Sequence, residues 1–268
     1  MKKVLLIIFI LGLIIFIGCG IGLLYEGKIL FTEQSNTGKI KTNYSKTYKN
    51  TDIQSLKVNA QISEIKIKKG DHFSVESKGN LPHTEATAHV KNHRLMVEDQ
   101  GKKSGINFNI GGMKYNRLTI TVPTKLEELK INSEVGSIDI NDIKAKSAYI
   151  KSDASDINVK KGNFDYLNIY NDASDIVTDD VSFNKAKIRN DASDIIMKEL
   201  QADKPLEIDN EAGDVELSYK NNPTNTRIEA NADGGDIDIN NKVFKNRTVG
   251  KGDNIVTINN DAGDIIIK

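Results

Sequence analysis

From residue 129 onward the chain repeats itself with a period close to 19 residues, and that leaves few folds open to it. An acidic pentapeptide recurs as SDASD (152–156), NDASD (171–175 and 190–194), NEAGD (210–214) and NDAGD (260–264). Aligned on its last residue, the units fall at Asp156, Asp175, Asp194, Asp214, Asp236 and Asp264, with Ser137 in the same place one unit earlier. The spacings from Ser137 onward are 19, 19, 19, 20, 22 and 28. Such a period is the mark of a solenoid, in which no unit buries its apolar side alone and stacked neighbours share one core.

The residues around the corners say what the units are. Before each corner stands an arm of the type Leu-x-Ile: Leu129–Ile131, Ala148–Ile150, Leu167–Ile169, Ala186–Ile188 and Leu206–Ile208. After it stands a second arm: Ile138–Ile140, Ile157–Val159, Ile176–Thr178, Ile195–Met197, Val215–Leu217, Ile237–Ile239 and Ile265–Ile267. Apolar residues two apart share one face of a strand, so that face is the inside of a coil. Nineteen residues at about 3.3 Å each close a perimeter of roughly 60 Å, room for two or three short strands and their corners. The expectation is an all-β chain whose residues 129–268 form a parallel β-solenoid. The pentapeptide is its corner: Asn and Asp accept left-handed backbone angles and bond to nearby N–H groups, while Ala, Ser and Gly let coils approach. Asp156, Asp175, Asp194, Asp214, Asp236 and Asp264 then form a structural corner ladder.

A weaker unit precedes these, since Leu56-Lys57-Val58 and Ile65-Lys66-Ile67 are spaced as Leu129 and Ile138 are. Strand-like stretches follow at 73–79, 87–98 and 117–123, with a hairpin turn expected at Lys91-Asn92. Residues 52–128 are therefore expected to be an irregular β cap over the first coil, and 52–268 to fold as one domain.

The N-terminus is of another kind. Residues 4–24 (VLLIIFILGLIIFIGCGIGLL) carry no charge and follow Lys2 and Lys3. As a helix this run spans about 30 Å, the hydrocarbon thickness of a bilayer. The positive-inside rule keeps the lysines in the cytoplasm and puts the rest outside, so a single-pass cell-membrane protein with an extracytoplasmic C-terminal domain is expected. A retained anchor is preferred to a cleaved signal peptide, because no small-x-small site precedes a polar segment. Phe16-Ile17-Gly18-Cys19 also resembles a lipobox, which makes Cys19 a candidate for lipid attachment, although the apolar run continues past it. Residues 25–51 read as a polar stalk. With one cysteine there is no internal disulfide to hold the outer domain.

Three features resemble a bacterial β-strand repeat family known as the "putative adhesin" domain, found in LiaG-like membrane-anchored proteins of envelope-stress operons. They are Leu56-Lys57-Val58-Asn59, the stretch LTITVPTKLEELKINSEVGSIDI at 118–140, and the repeated Ala-[Ser/Gly]-Asp-[Ile/Val] corners. The resemblance covers residues 52–268 and implies a surface role in adhesion or envelope stress. Fold alone does not fix function.

Other chemistries are weighed against this. The 37 basic and 37 acidic side chains cancel, and without a basic face nucleic acid is not expected as a partner. Paired carboxylates at 153/156, 172/175 and 191/194 raise calcium as an alternative, a cation-stabilised spacer, but the period and small residues suit a hydrogen-bonded corner equally. His72, His83, His89 and His93 lie close in sequence, yet on a strand His89 and His93 are about 13 Å apart, too far to share zinc. No metal or cofactor site is assigned. Because the carboxylates recur rather than converge on one pocket, no catalytic residue is assigned and an enzyme is not expected.

Binding surfaces remain. Outward on the second arms stand Asp139, Asn158, Val177, Ile196, Glu216, Asp238 and Ile266. Val177 and Ile196 are expected as an apolar column on adjacent coils, a docking spot for a membrane-protein partner of a stress-sensing system. Ile266 lies in the last unit, which has no polar segment after it, so that coil is expected to be covered by another protein or, through self-association, by a second copy. Two functions follow: a surface protein acting through protein partners in envelope stress, or an adhesin or wall-polymer-binding module.

Overall fold

The computed structural model describes residues 40–49, 52–80, 84–101 and 116–268. The described residues after Ile40 lie in one compact unit, Lys41–Lys102 with Tyr115–Lys268. The expected span at 4–24, Cys19 and His83 fall outside the described residues. Among the described residues no helix is long and apolar enough to cross a membrane.

The strands come in a simple order. β1 (Lys41–Tyr48), β2 (Ser55–Lys69) and β3 (Phe73–Gly79) are followed by a hairpin of β4 (Thr84–Lys91) and β5 (Arg94–Gly101), then by β6 (Asn116–Val122). Two long strands, β7 (Leu126–Asn141) and β8 (Lys144–Lys160), each run through a corner. From there each coil is two strands: β9 (Asn163–Ala173) with β10 (Ile176–Asp179), β11 (Ser182–Asn190) with β12 (Ile195–Leu200), and β13 (Leu206–Asn210) with β14 (Val215–Tyr219). β15 (Thr226–Ala232) and β16 (Ile237–Ile239) make the next, and after the short β17 (Thr248–Val249) come β18 (Asn254–Asn260) and β19 (Ile265–Ile267).

The coils stack in parallel and in register, as the repeat requires. Ile138, Ile157, Ile176, Ile195, Val215 and Ile265 form one inward column, each on its neighbour, and all are fully buried. Across the interior run Ile131, Ile150, Ile169, Ile188, Ile208 and Ile258. Truncating one such isoleucine to alanine removes about 2–5 kcal/mol, because neighbouring coils cannot close on the gap without breaking register.

The structure corrects the sequence reading in three places. First, the parallel stack starts before residue 129: β2 pairs in register with β7 from Ser55–Glu128 to Lys68–Asn141, and on its other side with β5 and then β6. The antiparallel cap is therefore only β1, β3 and β4. Second, the polar stretch 25–51 is not spacer throughout. Its Lys41–Tyr48 pairs with β3 and buries Tyr48, whose hydroxyl, with that of Tyr44, donates to the Ala88 carbonyl at 3.0 and 3.1 Å.

Third, the last unit is not the last coil. β18 lies between β13 and β15, and β19 between β14 and β16. The chain leaves β14, lays down the outermost coil with β15 and β16, and returns to fill the gap. Asp203 holds the departing loop, accepting the N–H groups of Thr224 and Asn225 and the hydroxyls of Thr224 and Thr226 at 2.7–3.2 Å. Asn225 then bonds to Asp253 and Asn254 at the point of return. Ile266 accordingly sits between Glu216 and Asp238, so the expected free edge for self-association is not there. The far-end covering comes from an internal segment, where β17 pairs with β15 and Phe244 packs 6.1 Å from the Tyr219 ring.

Candidate binding face

The corner explains most of the acidic residues. Asn171, Asn190, Asn210 and Asn260, the first letter of the pentapeptide, point inward and are buried. The amide of Asn190 donates to the carbonyls of Ala192 (3.0 Å) and Ser193 (2.8 Å), as that of Asn171 does to Ala173 (3.0 Å) and Ser174 (2.6 Å). Amides also bond between coils, Asn171 to Asn190 at 3.1 Å and Asn210 to Asn260 at 2.9 Å. The residue in the left-handed region is the fourth letter, not Asn or Asp as the sequence suggested: Ser174 has φ 95°, Ser193 94° and Gly213 110°. A Cβ on Gly213 would stand 2.4 Å from the Ser193 carbonyl oxygen, which is why glycine is needed there.

The fifth letter braces the stack. The Asp175 carboxylate accepts the Asp194 N–H (3.2 Å), Asp194 accepts Asp214 (2.8 Å), Asp214 accepts Asp264 (2.8 Å) and Asp264 accepts Asp236 (2.9 Å). Spatial order is thus 214, 264, 236, following the inserted coil. Asp156 is not part of this series of bonds. In its coil Ser152 replaces the inward Asn, and β8 runs extended through the corner without a left-handed residue. Among the described residues no group of three or more His, Cys, Asp or Glu is placed to hold a metal ion. His89 lies across from Met96, while His93, in the β4–β5 turn with Asn92, is 3.0 Å from Asp52.

Val177 and Ile196 are adjacent, as expected, and both are half-buried. Ile266 is separated from them by Glu216.

The most distinctive surface is on the first arms instead. Their outward residues form a grid, because the strands stack in register. One column runs Lys57, Lys130, Tyr149, Asn168, Lys187, Glu207; the next runs Asn59, Asn132, Lys151, Tyr170, Arg189, Asp209. The Tyr149 and Tyr170 rings stand 5.4 Å apart and tilted by 37°, and the Lys130 ammonium lies 5.1 Å from the Tyr149 ring. Tyr166, on the same face, is 57% exposed. Lys187 and Arg189 are held by Glu207 and Glu211 at 2.5 and 3.2 Å.

Toward the cap the second of these columns opens into a cleft of about 390 Å3, lined by residues including Asn59, Gln61, Asn132, Glu134 and Lys151. Asn132 donates to Asn59 at 2.8 Å and Gln61 to Glu134 at 3.3 Å. The cleft also meets Asp99, which is buried. One Asp99 oxygen accepts the Ser63 hydroxyl and, at 2.8 Å, the Asn116 amide, while the other has no hydrogen-bond partner. The sequence reading missed this face because it followed outward residues on the second arms only. The outward letters within and beside the first arms carried the signal for the tyrosines, Tyr149 inside its arm and Tyr166 and Tyr170 on either side of Leu167–Ile169; the cleft had no such signal, since it needs β5 stacked on β2.

The family model described as Toastrack DUF4097 matches residues 53–239. No curated protein matches the chain. Among solved structures, a "putative cell adhesion protein" from Clostridium sporogenes ATCC 15579 is 15% identical, with 86% of this chain and 99% of that one covered and a TM-score of 0.44. A "putative adhesin" from Bacteroides fragilis NCTC 9343 is 13% identical over 86% and 97% of the two chains, with a TM-score of 0.43. A "putative lipid binding protein" from Parabacteroides distasonis ATCC 8503 is 16% identical over 86% and 97%, also at 0.44.

Proposed function

The chain belongs to the Toastrack DUF4097 family, and from that premise we propose that it is a non-enzymatic, membrane-anchored bacterial surface protein that works by binding. The observation that carries this reading is the first-arm face: Tyr149, Tyr166 and Tyr170 with Lys57, Lys130 and Lys151 on an in-register grid beside an open polar cleft. Aromatic rings with a polar tip suit contact that is apolar at one end and wet at the other. An anchor at residues 4–24 would keep the domain on the extracytoplasmic side of the membrane, which fits an adhesin or wall-binding module.

A second reading has its own support. The half-buried Val177–Ile196 column offers a small apolar contact on the opposite arms, as a protein partner in envelope-stress signalling would need. Photoreactive residues at positions 168, 196 and 158 in intact cells separate the two. Asn168 lies between Tyr149 and Lys187, so wall material captured there and not at 158 supports the binding module. A discrete membrane protein captured only from 196 supports signalling instead. Absence of capture at both 168 and 196 counts against the proposal.

A further inference from the structure

Resting on the binding-module reading, we propose that the cleft at Asn59, Asn132 and Lys151, together with the Tyr149–Tyr170 pair beside it, is a glycan site for uncharged or amine-bearing sugars. Three observations converge on that chemistry. The first is continuity: Asn59, Asn132, Lys151 and Tyr170 are successive members of one outward column, so cleft and aromatic pair share one surface. A chain lying along the stack passes from one to the other.

The second is the donor set. Hydroxyl groups both donate and accept, and side-chain amides match them in both senses. The cleft presents amides from Asn59, Gln61 and Asn132 alongside the carboxylates of Glu98, Glu134 and Asp153. The tilted Tyr149 and Tyr170 rings supply an apolar platform for the C–H face of a pyranose. A volume of about 390 Å3 lies in the range of small-ligand sites, so it takes a short segment of a chain rather than a globular partner.

The third is charge. Four carboxylates, at Glu98, Asp99, Glu134 and Asp153, line the cleft against the single ammonium of Lys151. Phosphate polymers and acidic glycans are repelled by that balance, whereas neutral sugars are tolerated and amines attracted.

The test uses the full chain in detergent micelles and saturation-transfer NMR with four probes: chitotetraose, its de-N-acetylated form, maltotetraose and polyphosphate. Transfer to at least one sugar probe and none to polyphosphate is expected. Tyr170→Ala and Asn132→Ala should each weaken that sugar about tenfold, roughly one strong contact, while Ile196→Ala leaves it unchanged. Circular dichroism and Tm confirm that each variant is folded, and Tyr149→Phe, which keeps the ring, should retain binding. No transfer to any sugar, or preference for polyphosphate, overturns the glycan assignment. If isolated wall material is still retained through Tyr149 and Tyr170 in that case, the binding-module reading stands without it.

Discussion

A single letter decides which kind of corner the chain makes. SDASD and NDASD differ only at their first residue, yet Ser152 lies in an extended strand while Asn171 and Asn190 close a tight turn with a left-handed serine. Ser lacks the amide that reaches two carbonyls at once. Asn190→Ser should therefore cost about 2 kcal/mol, since the Ala192 and Ser193 carbonyls lose their donor and the buried Asn171 amide loses an acceptor, and urea unfolding would read it as a lower midpoint at unchanged slope. Ser193 at φ 94° bears a strain that its counterpart Gly213 does not. Ser193→Gly should stabilise the folded chain by about 0.5–1 kcal/mol, with the gain visible in the same experiment. Asp203 adds a pH dependence. Burial works against its charge, but hydrogen bonds from Thr224, Asn225 and Thr226 overcome it and hold its carboxyl below the ordinary range. Its contribution is present above the unfolded value of about 3.9 and is lost as pH falls through the lower folded value. Asp203→Asn should lower Tm at neutral pH and shrink the further fall in Tm seen on acidification below about pH 4.

At the scale of elements, the inserted coil carries the far end. β16 has β19 as its stacked neighbour, and β15 has β18 with only the two-residue β17 on its other side. Deleting residues 254–268 uncovers β13 and β14 and leaves the 226–239 coil with nothing beneath it. Limited proteolysis should then cut first between 220 and 253, while the coils from β7 to β12 stay resistant. If the stack simply closed over the gap, cleavage would be no faster than in the intact chain. The two-sided pairing of β2 makes the opposite end different: there the antiparallel strands β1, β3 and β4 blunt the edge that a first coil would otherwise expose.

For the whole molecule, stability is a sum over neighbouring coils, so hydrogen exchange should be slowest in β8 to β12 and fastest in the 226–239 coil. Because backbone N–H groups already engage four of the corner carboxylates, adding calcium or chelator should leave Tm unmoved; a rise with calcium would restore the cation-stabilised spacer. Period, inward columns and the place of the corners were legible in the residues, because side-chain alternation and turn chemistry are local. So was the early unit at Leu56 and Ile65, whose spacing alone matched Leu129 and Ile138. Three things were not: that β18 and β19 slide between earlier coils, that Lys41–Tyr48 joins the cap, and that tyrosines and amides from separate coils meet in one face with a cleft. Sequence by itself determined the repeat and the chemistry of each corner. Only the tertiary structure decided the order in which the coils stack, since any coil with this register can lie on any other, and the choice falls to the loop contacts of Asp203 and Asn225.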